Sequence, residues 1–274
     1  MYEDYSVLMS VYYKERPDWL RESIESILNQ SIMTNDFVIV EDGPLNEALY
    51  KVLNYYEIKH PQIINRIRLE KNVGLGPALG EGIFHCKNDL VARMDSDDYS
   101  IPERCEKLLS VFKNNTNLSI VGSFEVEFEN DISDIKAIHR VPENSYEIFE
   151  FMKKRCALLH PTVMFKKSAV LEAGNYRNML LYEDYDLFMR MIIEKKQIAY
   201  NIQENLYYIR INDAFFSRRG GVSYMKTAVL FKFNHMKQGH MSILDFIISA
   251  GSQSIVCLMP NFMRKWIYLK LLRK

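Results

Sequence analysis

The first 130 residues alternate between continuous apolar runs and segments in which apolar residues recur every three or four positions. Continuous runs are typical of strands buried on both faces, and the recurring spacing is typical of helices. The predicted strands cover residues 5–13, 36–43, 63–72, 89–95 and 118–130. The predicted helices cover residues 17–28, 45–60, 77–85 and 102–111. This order predicts an α/β fold with a mostly parallel central sheet flanked by helices.

Polar and acidic residues stand at the carboxyl ends of three predicted strands. They occur at positions 10–12, 41–42 and 95–98. In open parallel sheets, ligands bind in the crevice beyond these strand ends. We therefore expect the sheet to bring the three groups together in one crevice.

The alternation weakens after residue 130. Residues 131–221 predict helices, a loop and one short strand, including a helix that begins near residue 183. Residues 222–274 contain eight Lys or Arg and one acidic residue among large apolar residues, which predicts a basic, amphipathic helical extension. The predicted division of the chain is therefore 1–130, 131–221 and 222–274.

Composition narrows the classes of protein. A hydrophobic share of 48%, with 17 Tyr and 15 Phe, allows a large core, and a net charge of zero gives no indication of a nucleic-acid partner. The four cysteines are far apart, which argues against a zinc site or a disulfide framework. The N-terminus is acidic where a signal peptide is basic, and no run of 18 apolar residues occurs. A cytoplasmic protein with reduced thiols is the expectation.

Three aspartates follow the fourth predicted strand directly, namely Asp95, Asp97 and Asp98. Carboxylates this close repel each other by roughly 4 kcal/mol per pair at an effective dielectric near 20. One interpretation is a polar turn in which Asp98 caps the next helix. The other is a site for Mg²⁺ or Mn²⁺, which prefer carboxylate oxygens, and the position at a strand end favours it.

The glycine-rich segment NVGLGPALGEG, residues 72–82, is a weak indication of a dinucleotide site. Gly74 and Gly76 fit the first two positions of the fingerprint, but Gly80 comes one residue late. A loop that leads into a helix N-terminus near a phosphate remains open.

The segment YEDYDLFMR places acids at a predicted helix start. Acids stabilise a helix N-terminus, and Asp186 can pair with Arg190 one turn later. This accounts for Asp186 and Glu183 but does not require Asp184. A catalytic interpretation of Asp184 therefore stays open beside the structural one.

Further candidates have a structural and a functional interpretation. His160, before Pro161, is more often structural than catalytic. Arg218 and Arg219 suit either a solvated loop or a phosphate. The basic extension suits either a helical cap on the core or contact with an anionic membrane through residues such as Trp266, Ile267, Leu269 and Leu271.

Taken together, the motifs resemble family 2 glycosyltransferases of the GT-A fold. The likeness extends from residue 5 to about residue 220 and rests on motifs in the family's order, namely SVLMSVYYKE, VEDGP, NVGLGPALGEG, ARMDSDD and YEDYDLFMR. The segments HPTVMFKKS and RRGG are similar to bacterial polysaccharide enzymes of the amylovoran galactosyltransferase type.

The resemblance implies a set of site residues. The implied nucleotide-sugar contacts are Ser10, Val11, Tyr12, Glu41, Asp42, Asn72, Gly74, Asp95 and Ser96. Asp97 is implied as a ligand of Mn²⁺ or Mg²⁺, with Asp95 contacting the ribose or the metal, and Asp184 is implied as the general base. Candidate acceptor or phosphate contacts are His160, Glu183, Arg218 and Arg219.

The implied activity is inverting transfer of a hexose from a UDP-sugar to a hydroxyl group of a saccharide in O-antigen, capsule or exopolysaccharide assembly. Residues 1–130 would bind the nucleotide and residues 131–221 the acceptor. A lipid diphosphate-linked acceptor fits the basic extension, and hence a peripheral position at the inner face of the plasma membrane. Two alternatives stay open, namely a D-x-D phosphatase or nucleotidyltransferase, and a non-catalytic membrane-surface module.

Two positions depart from the family pattern. Leu79 and Gly80 stand where the family has Arg and Asn, so another basic residue is expected to contact the donor. Asn212 stands where many relatives have a metal-binding His, which leaves the third metal ligand undefined. The sequence does not indicate the oligomeric state.

Overall fold

The computed structural model describes residues 3–212 and 219–267. The strands are β1 (Tyr5–Val11), β2 (Asp36–Glu41), β3 (Ile64–Arg68), β4 (Leu90–Met94), β5 (Tyr99–Ser100), β6 (Leu118–Phe128), β7 (Ile135–His139), β8 (Met164–Lys166) and β9 (Ile198–Arg210). The helices are α1 (Pro17–Leu28), α2 (Glu47–Lys59), α3 (Leu75–His85), α4 (Arg104–Asn114), α5 (Ser145–Met152), α6 (Lys167–Glu172), α7 (Glu183–Met189), α8 (Gly221–Lys237), α9 (Ile243–Leu258) and α10 (Asn261–Ile267).

One mixed sheet forms the centre of the described chain. The strand order is β3-β2-β1-β4-β8-β6-β9-β5, and β7 pairs with β6. The first four strands are mutually parallel, as predicted, with Val7 of β1 opposite both Phe37 and Ala92. β8 then runs antiparallel to β4 and to β6, so the second half of the sheet is mixed. The α/β class predicted from the alternating pattern is confirmed.

The apolar runs form strands because both faces of the sheet are covered. In β1, Val7 and Met9 pack in the cluster that includes α1 and α2, whereas Leu8 packs in the cluster that includes α3. α1 begins at Pro17, whose fixed φ angle suits the first position of a helix. The helices on both faces therefore leave the carboxyl edge of the parallel strands as the place for a ligand.

Some boundaries and elements differ from the prediction. α3 begins at Leu75 rather than residue 77, because Gly74 acts as its N-cap residue. The Asp98 cap was wrong, since Glu103 is the N-cap residue of α4 and the carboxylate of Asp98 accepts a hydrogen bond from the backbone N–H of Arg210 instead. β5, β7 and the long strand β9 were not predicted, and α7 continues into a π-helical turn at Arg190–Glu194.

Three helices follow the sheet at the C-terminal end of the described chain. The side chain of Ser242 and that of Asp245 form a capping box at the start of α9, and the Lys232 ammonium of α8 donates to the Ser249 carbonyl of α9 at 2.8 Å. The helical prediction is confirmed for residues 222–267, whereas Leu269 and Leu271 lie outside the described residues and the boundary at residue 222 stays a prediction. Within residues 3–212 and 219–267, every helix is too short or too polar to cross a membrane.

Candidate active site

The ends of β1 and β2 meet at the carboxyl edge of the sheet. Ser10 lies opposite Val40 and Val11 opposite Glu41, and the Asp42 N–H donates to the Val11 carbonyl at 2.8 Å. Beyond β1, Tyr12 is 39% exposed and lies at the surface of this edge. The structure therefore brings the first two predicted strand ends together.

Asp42 organises the loop before α3. Its carboxylate accepts hydrogen bonds from the Asn72 side chain at 2.9 Å and from the backbone N–H groups of Val73 and Gly74 at 2.7 and 3.1 Å. Gly74 has a φ angle of +91°, a backbone conformation that residues other than glycine rarely adopt. Asp42, Asn72 and Gly74 thus form one unit that fixes the start of α3, and their contact with a nucleotide stays a prediction.

Glu41 is directed to the neighbouring strand. Its carboxylate is buried and pairs with Arg66 at 2.6 Å and with Arg68 at 3.4 Å, both on β3. Glu41 is thus paired with two arginines of β3, and its contact with a nucleotide stays a prediction.

A cluster of carboxylates follows β4, and we call Glu15, Asp95 and Asp97 the first acidic centre. The Ser96 hydroxyl donates to the Glu15 carboxylate at 2.7 Å and so holds Glu15 beside the aspartates. Burial, with repulsion from Asp95 and Glu15, raises the pKa of Asp97 to about 7. Burial also raises the pKa of Glu15. The centre therefore carries negative charge in a place where water compensates it poorly.

These oxygens fit a hard divalent cation, which would favour the ionised form of Asp97. Among the described residues, the His, Cys, Asp and Glu side chains do not form a preassembled group of three metal ligands. Asn212, which stands where many relatives have a metal-binding His, is exposed. The third ligand of the metal stays undefined.

Asp98 has a different place from its neighbours. Its carboxylate accepts the Arg210 N–H at 2.8 Å, and the Arg210 guanidinium donates to the Asp97 carbonyl at 3.0 Å. Asp98 therefore fixes the turn after β4 to the end of β9, which holds the aspartates of the first acidic centre in position.

A buried arginine next to the first acidic centre was not among the site residues predicted from the sequence. Arg93 of β4 is fully buried and forms an ion pair with Asp95. Its positive charge also lowers the pKa of Asp97, Glu183 and Asp184, against the larger effect of burial. The available signal was a charged residue inside the apolar run LVARM. Arg93 is thus a basic residue that supports Asp95, and the basic residue that contacts the donor in place of the one missing at Leu79 stays a prediction.

Glu183 and Asp184 form the second acidic centre, at the N-terminus of α7. The Asp184 carboxylate accepts the Tyr185 N–H at 2.7 Å. Burial raises the pKa of Asp184, although this hydrogen bond, Arg93 and Arg219 lower it. Burial and the charge of Asp184 raise the pKa of Glu183 to about 7, and Asp95 adds to this rise. The two acidic centres are therefore close enough to interact across one crevice.

Gly76 allows α3 to lie directly against this second centre. A Cβ atom at Gly76 would stand 2.9 Å from the Glu183 Cβ atom and 2.8 Å from the Arg177 carbonyl oxygen. A side chain at this position would therefore displace the start of α7.

His160 lies in the protein interior next to Tyr176. Its ring is buried, and its Nε2 atom lies 2.8 Å from the Tyr176 hydroxyl. Burial and the charge of Arg93 lower the pKa of His160 well below its usual value, so the ring is neutral. Arg219 acts electrostatically on Asp184, whereas Arg218 lies outside the described residues. Contacts of these residues with an acceptor or a phosphate stay predictions.

Several known proteins are similar to this chain over most of its length. Residues 6–174 match the model of Glycosyl transferase family 2. The chain is 33% identical to a UDP-Gal:alpha-D-GlcNAc-diphosphoundecaprenol beta-1,3-galactosyltransferase of Escherichia coli, over 98% of this chain and 97% of the relative. It is 34% identical to the amylovoran biosynthesis glycosyltransferase AmsE of Erwinia amylovora, over 82% of this chain and 83% of the relative.

A solved structure confirms the GT-A class of the fold. The mannosyltransferase of Pyrobaculum calidifontis in complex with GDP-Man and Mn²⁺ superposes with a TM-score of 0.64 at 11% identity, over 91% of this chain and 68% of that one. The match to the family model covers more than half of the 274 residues. The chain belongs to glycosyl transferase family 2.

Proposed function

We propose that this protein is a metal-dependent, inverting transferase that moves a hexose from a UDP-sugar to a hydroxyl group of a lipid diphosphate-linked saccharide. The observation that carries the proposal is the place of the buried Arg93 beside both acidic centres, since it forms an ion pair with Asp95 and its charge acts on Glu183 and Asp184. Family membership favours glycosyl transfer over the phosphatase and nucleotidyltransferase alternatives.

The first acidic centre is assigned to the donor. Asp97, with Asp95 directly or through water, would hold Mn²⁺ or Mg²⁺ against the diphosphate. The bound cation would supply Lewis-acid stabilisation of the charge on the departing diphosphate. Ser96 holds Glu15, and Arg93 holds Asp95, so both fix the carboxylates before the donor arrives.

The second acidic centre is assigned to the acceptor. Asp184 takes the proton from the acceptor hydroxyl while its oxygen forms a bond to the anomeric carbon of the sugar. The bond from that carbon to the diphosphate oxygen breaks in the same step, and UDP leaves with the electron pair. A single displacement inverts the carbon, so an α-linked UDP-sugar gives a β-linked product.

The donor and the setting are proposed from the relatives. The E. coli relative is named for UDP-Gal and for a diphosphoundecaprenol-linked acceptor, and the E. amylovora relative for amylovoran biosynthesis. A third relative at 31% identity, over 76% of this chain, is named as an O-antigen biosynthesis glycosyltransferase. We infer a role in bacterial polysaccharide assembly, with UDP-galactose as the first donor to test, at the cytoplasmic face of the plasma membrane.

The test is transfer by the purified protein to a synthetic lipid diphosphate-linked N-acetylglucosamine. UDP-galactose, UDP-glucose and their N-acetyl forms are supplied in turn, with Mn²⁺ or with a chelator, and the linkage of the product is determined by NMR. We expect a β-linked product from one UDP-hexose, in the presence of Mn²⁺ alone. An α-linked product, or full activity with the chelator, would contradict the mechanism.

A further inference from the structure

On one side of α9, large aliphatic side chains are exposed to solvent in two groups that are separated along the helix by Gly251. At about 100° per residue, these side chains lie within about 140° of the helix circumference. We call this set the apolar stripe, and its members with their exposed fractions are Ile243 69%, Leu244 65%, Ile247 59%, Ile248 49%, Ile255 61% and Leu258 57%. Exposed apolar patches of this kind mark interaction sites.

The opposite face of α9 is docked on the rest of the protein. Ser249, Ala250 and Cys257 are buried there. The Gln253 amide donates to the Tyr182 hydroxyl at 2.8 Å, and Tyr182 stacks on Phe231 of α8 with ring centroids 4.8 Å apart. The outward direction of the apolar stripe is therefore fixed by packing on the other side of the same helix.

The charge of this part of the chain favours an anionic partner, because residues 222–274 contain eight Lys or Arg. Asp245 is the one acid in residues 222–274, and its carboxylate accepts from the Ser242 hydroxyl at 2.7 Å and pairs with Lys154 at 3.6 Å. On α8, the exposed Lys226 and Lys237 lie on the same side of the helix. Their exposed neighbours on that side are Val222, Leu230 and Phe233. Lysines beside exposed apolar side chains are typical of helices that lie at the boundary of headgroups and acyl chains.

α10 adds aromatic residues to the same end of the molecule. Phe262 is 74% exposed and Trp266 is 57% exposed, and their spacing places them on one side of the helix. Tryptophan is enriched at the membrane interface, where its ring is apolar and its N–H can reach water.

We propose that the apolar stripe, together with Phe262 and Trp266, docks the protein on an anionic lipid bilayer. An exposed aliphatic face in a segment with eight basic residues and one acidic residue is complementary to acyl chains under negatively charged headgroups. The choice of a bilayer also rests on the proposed lipid-linked acceptor. The bond from Gln253 to Tyr182 places α9 beside the residue that precedes Glu183. Docking would therefore place the bilayer on the outer side of the helix whose inner side contacts the residue that precedes the second acidic centre.

The test is co-sedimentation of the full chain with vesicles of equimolar phosphatidylglycerol and phosphatidylcholine at low salt. The test variant is Ile247→Ser/Ile248→Ser. The matched control is Ile58→Ser/Ile135→Ser, which removes two exposed isoleucines from α2 and β7. We expect the parent and the control to bind alike, and the partition coefficient of the test variant to fall about tenfold or more. Vesicles of phosphatidylcholine alone, or high salt, should weaken binding by the parent.

Two further measurements separate this proposal from the proposed function. UDP release from the donor without vesicles should be equal in the parent and the test variant, and light scattering should give them the same oligomeric state. Catalytically active parent that ignores anionic vesicles would overturn the docking and leave the function standing. A parent dimer that the test variant dissociates, with unchanged vesicle binding, would assign the stripe to a second copy and also overturn it. Vesicle binding as expected, with no donor turnover in any protein, would instead contradict the function.

Discussion

The two acidic centres of the crevice hold their carboxylates in different ways. In the first, Asp97 is buried beside Asp95 and Glu15, and its pKa rises to about 7. In the second, Asp184 lies at the first turn of α7 and accepts the Tyr185 N–H at 2.7 Å. Asp97 thus lies among like charges, whereas Asp184 is oriented by its own backbone.

This difference indicates two chemical roles. Crowded carboxylates gain most from a cation, which removes the repulsion and the cost of burying charge together. A carboxylate whose direction is fixed by a backbone hydrogen bond and whose pKa is raised is suited to take a proton from a hydroxyl group. The assignment of these two roles can therefore be tested. Each role predicts a different consequence when the carboxylate is replaced by an amide of the same shape.

The largest effect is expected from Asp97→Asn. An amide is a poor ligand for a hard cation, so Mn²⁺-dependent transfer should fall by at least about a thousandfold. Transfer rates measured across a range of Mn²⁺ concentrations check this. The matched control is Asp89→Asn, because Asp89 binds Ser168 at the opposite end of β4. Equal rates in parent and Asp97→Asn would refute the assignment.

Asp184→Asn should lower the rate of transfer by about a hundredfold or more, because the general base is lost. The Michaelis constant for the donor should change little, since the first acidic centre is intact. Steady-state kinetics at saturating acceptor measure both. If the variant keeps half of the parent rate, the base lies elsewhere, and Glu183 is then the residue to replace.

Arg93→Lys should have a smaller effect, about tenfold on transfer, because lysine keeps the charge but not the shape that pairs with Asp95. The lost rate should be distributed between donor affinity and turnover, since Arg93 acts on both acidic centres. Kinetics of the lysine variant beside Arg93→Met separate charge from shape. Unchanged kinetics in both variants would show that Arg93 serves the fold alone.

The smallest effect concerns the pH dependence of stability. The pKa of Glu183 is raised to about 7, above the ordinary value near 4.3 for a glutamate in an unfolded chain. The folded state therefore binds this proton more tightly, and its contribution to stability is present at low pH and lost as the pH rises towards 7 and above. Melting temperatures of the parent should fall relative to Glu183→Gln between pH 5 and pH 8. A constant difference between the two would contradict the raised pKa.

The features that could be predicted are those that depend on neighbouring residues in the sequence. The apolar runs of β1, β2 and β4 and the polar residues at their ends were predicted, because a strand buried on both faces requires such a run. The order of motifs then indicated the family, which the match over residues 6–174 confirms.

The unpredicted part depends on contacts between distant residues. Asp98 does not cap α4, because the N–H of Arg210, 112 residues away, binds its carboxylate. Arg93 was not recognised, since its effect on Glu183 and Asp184 depends on packing of α7 against the crevice. The antiparallel insertion of β8 between β4 and β6 leaves no local signal either, because strand direction is decided by the chain's path.

The most direct test of the two roles is calorimetric binding of UDP to Asp97→Asn and Asp184→Asn, each with Mn²⁺ and with a chelator. The account predicts that Asp184→Asn binds UDP as the parent does, with affinity that depends on Mn²⁺. It predicts that Asp97→Asn binds UDP weakly and equally in the presence and absence of Mn²⁺. Mn²⁺-dependent binding that survives in Asp97→Asn and disappears in Asp184→Asn would contradict the account, because the cation would then belong to the second acidic centre.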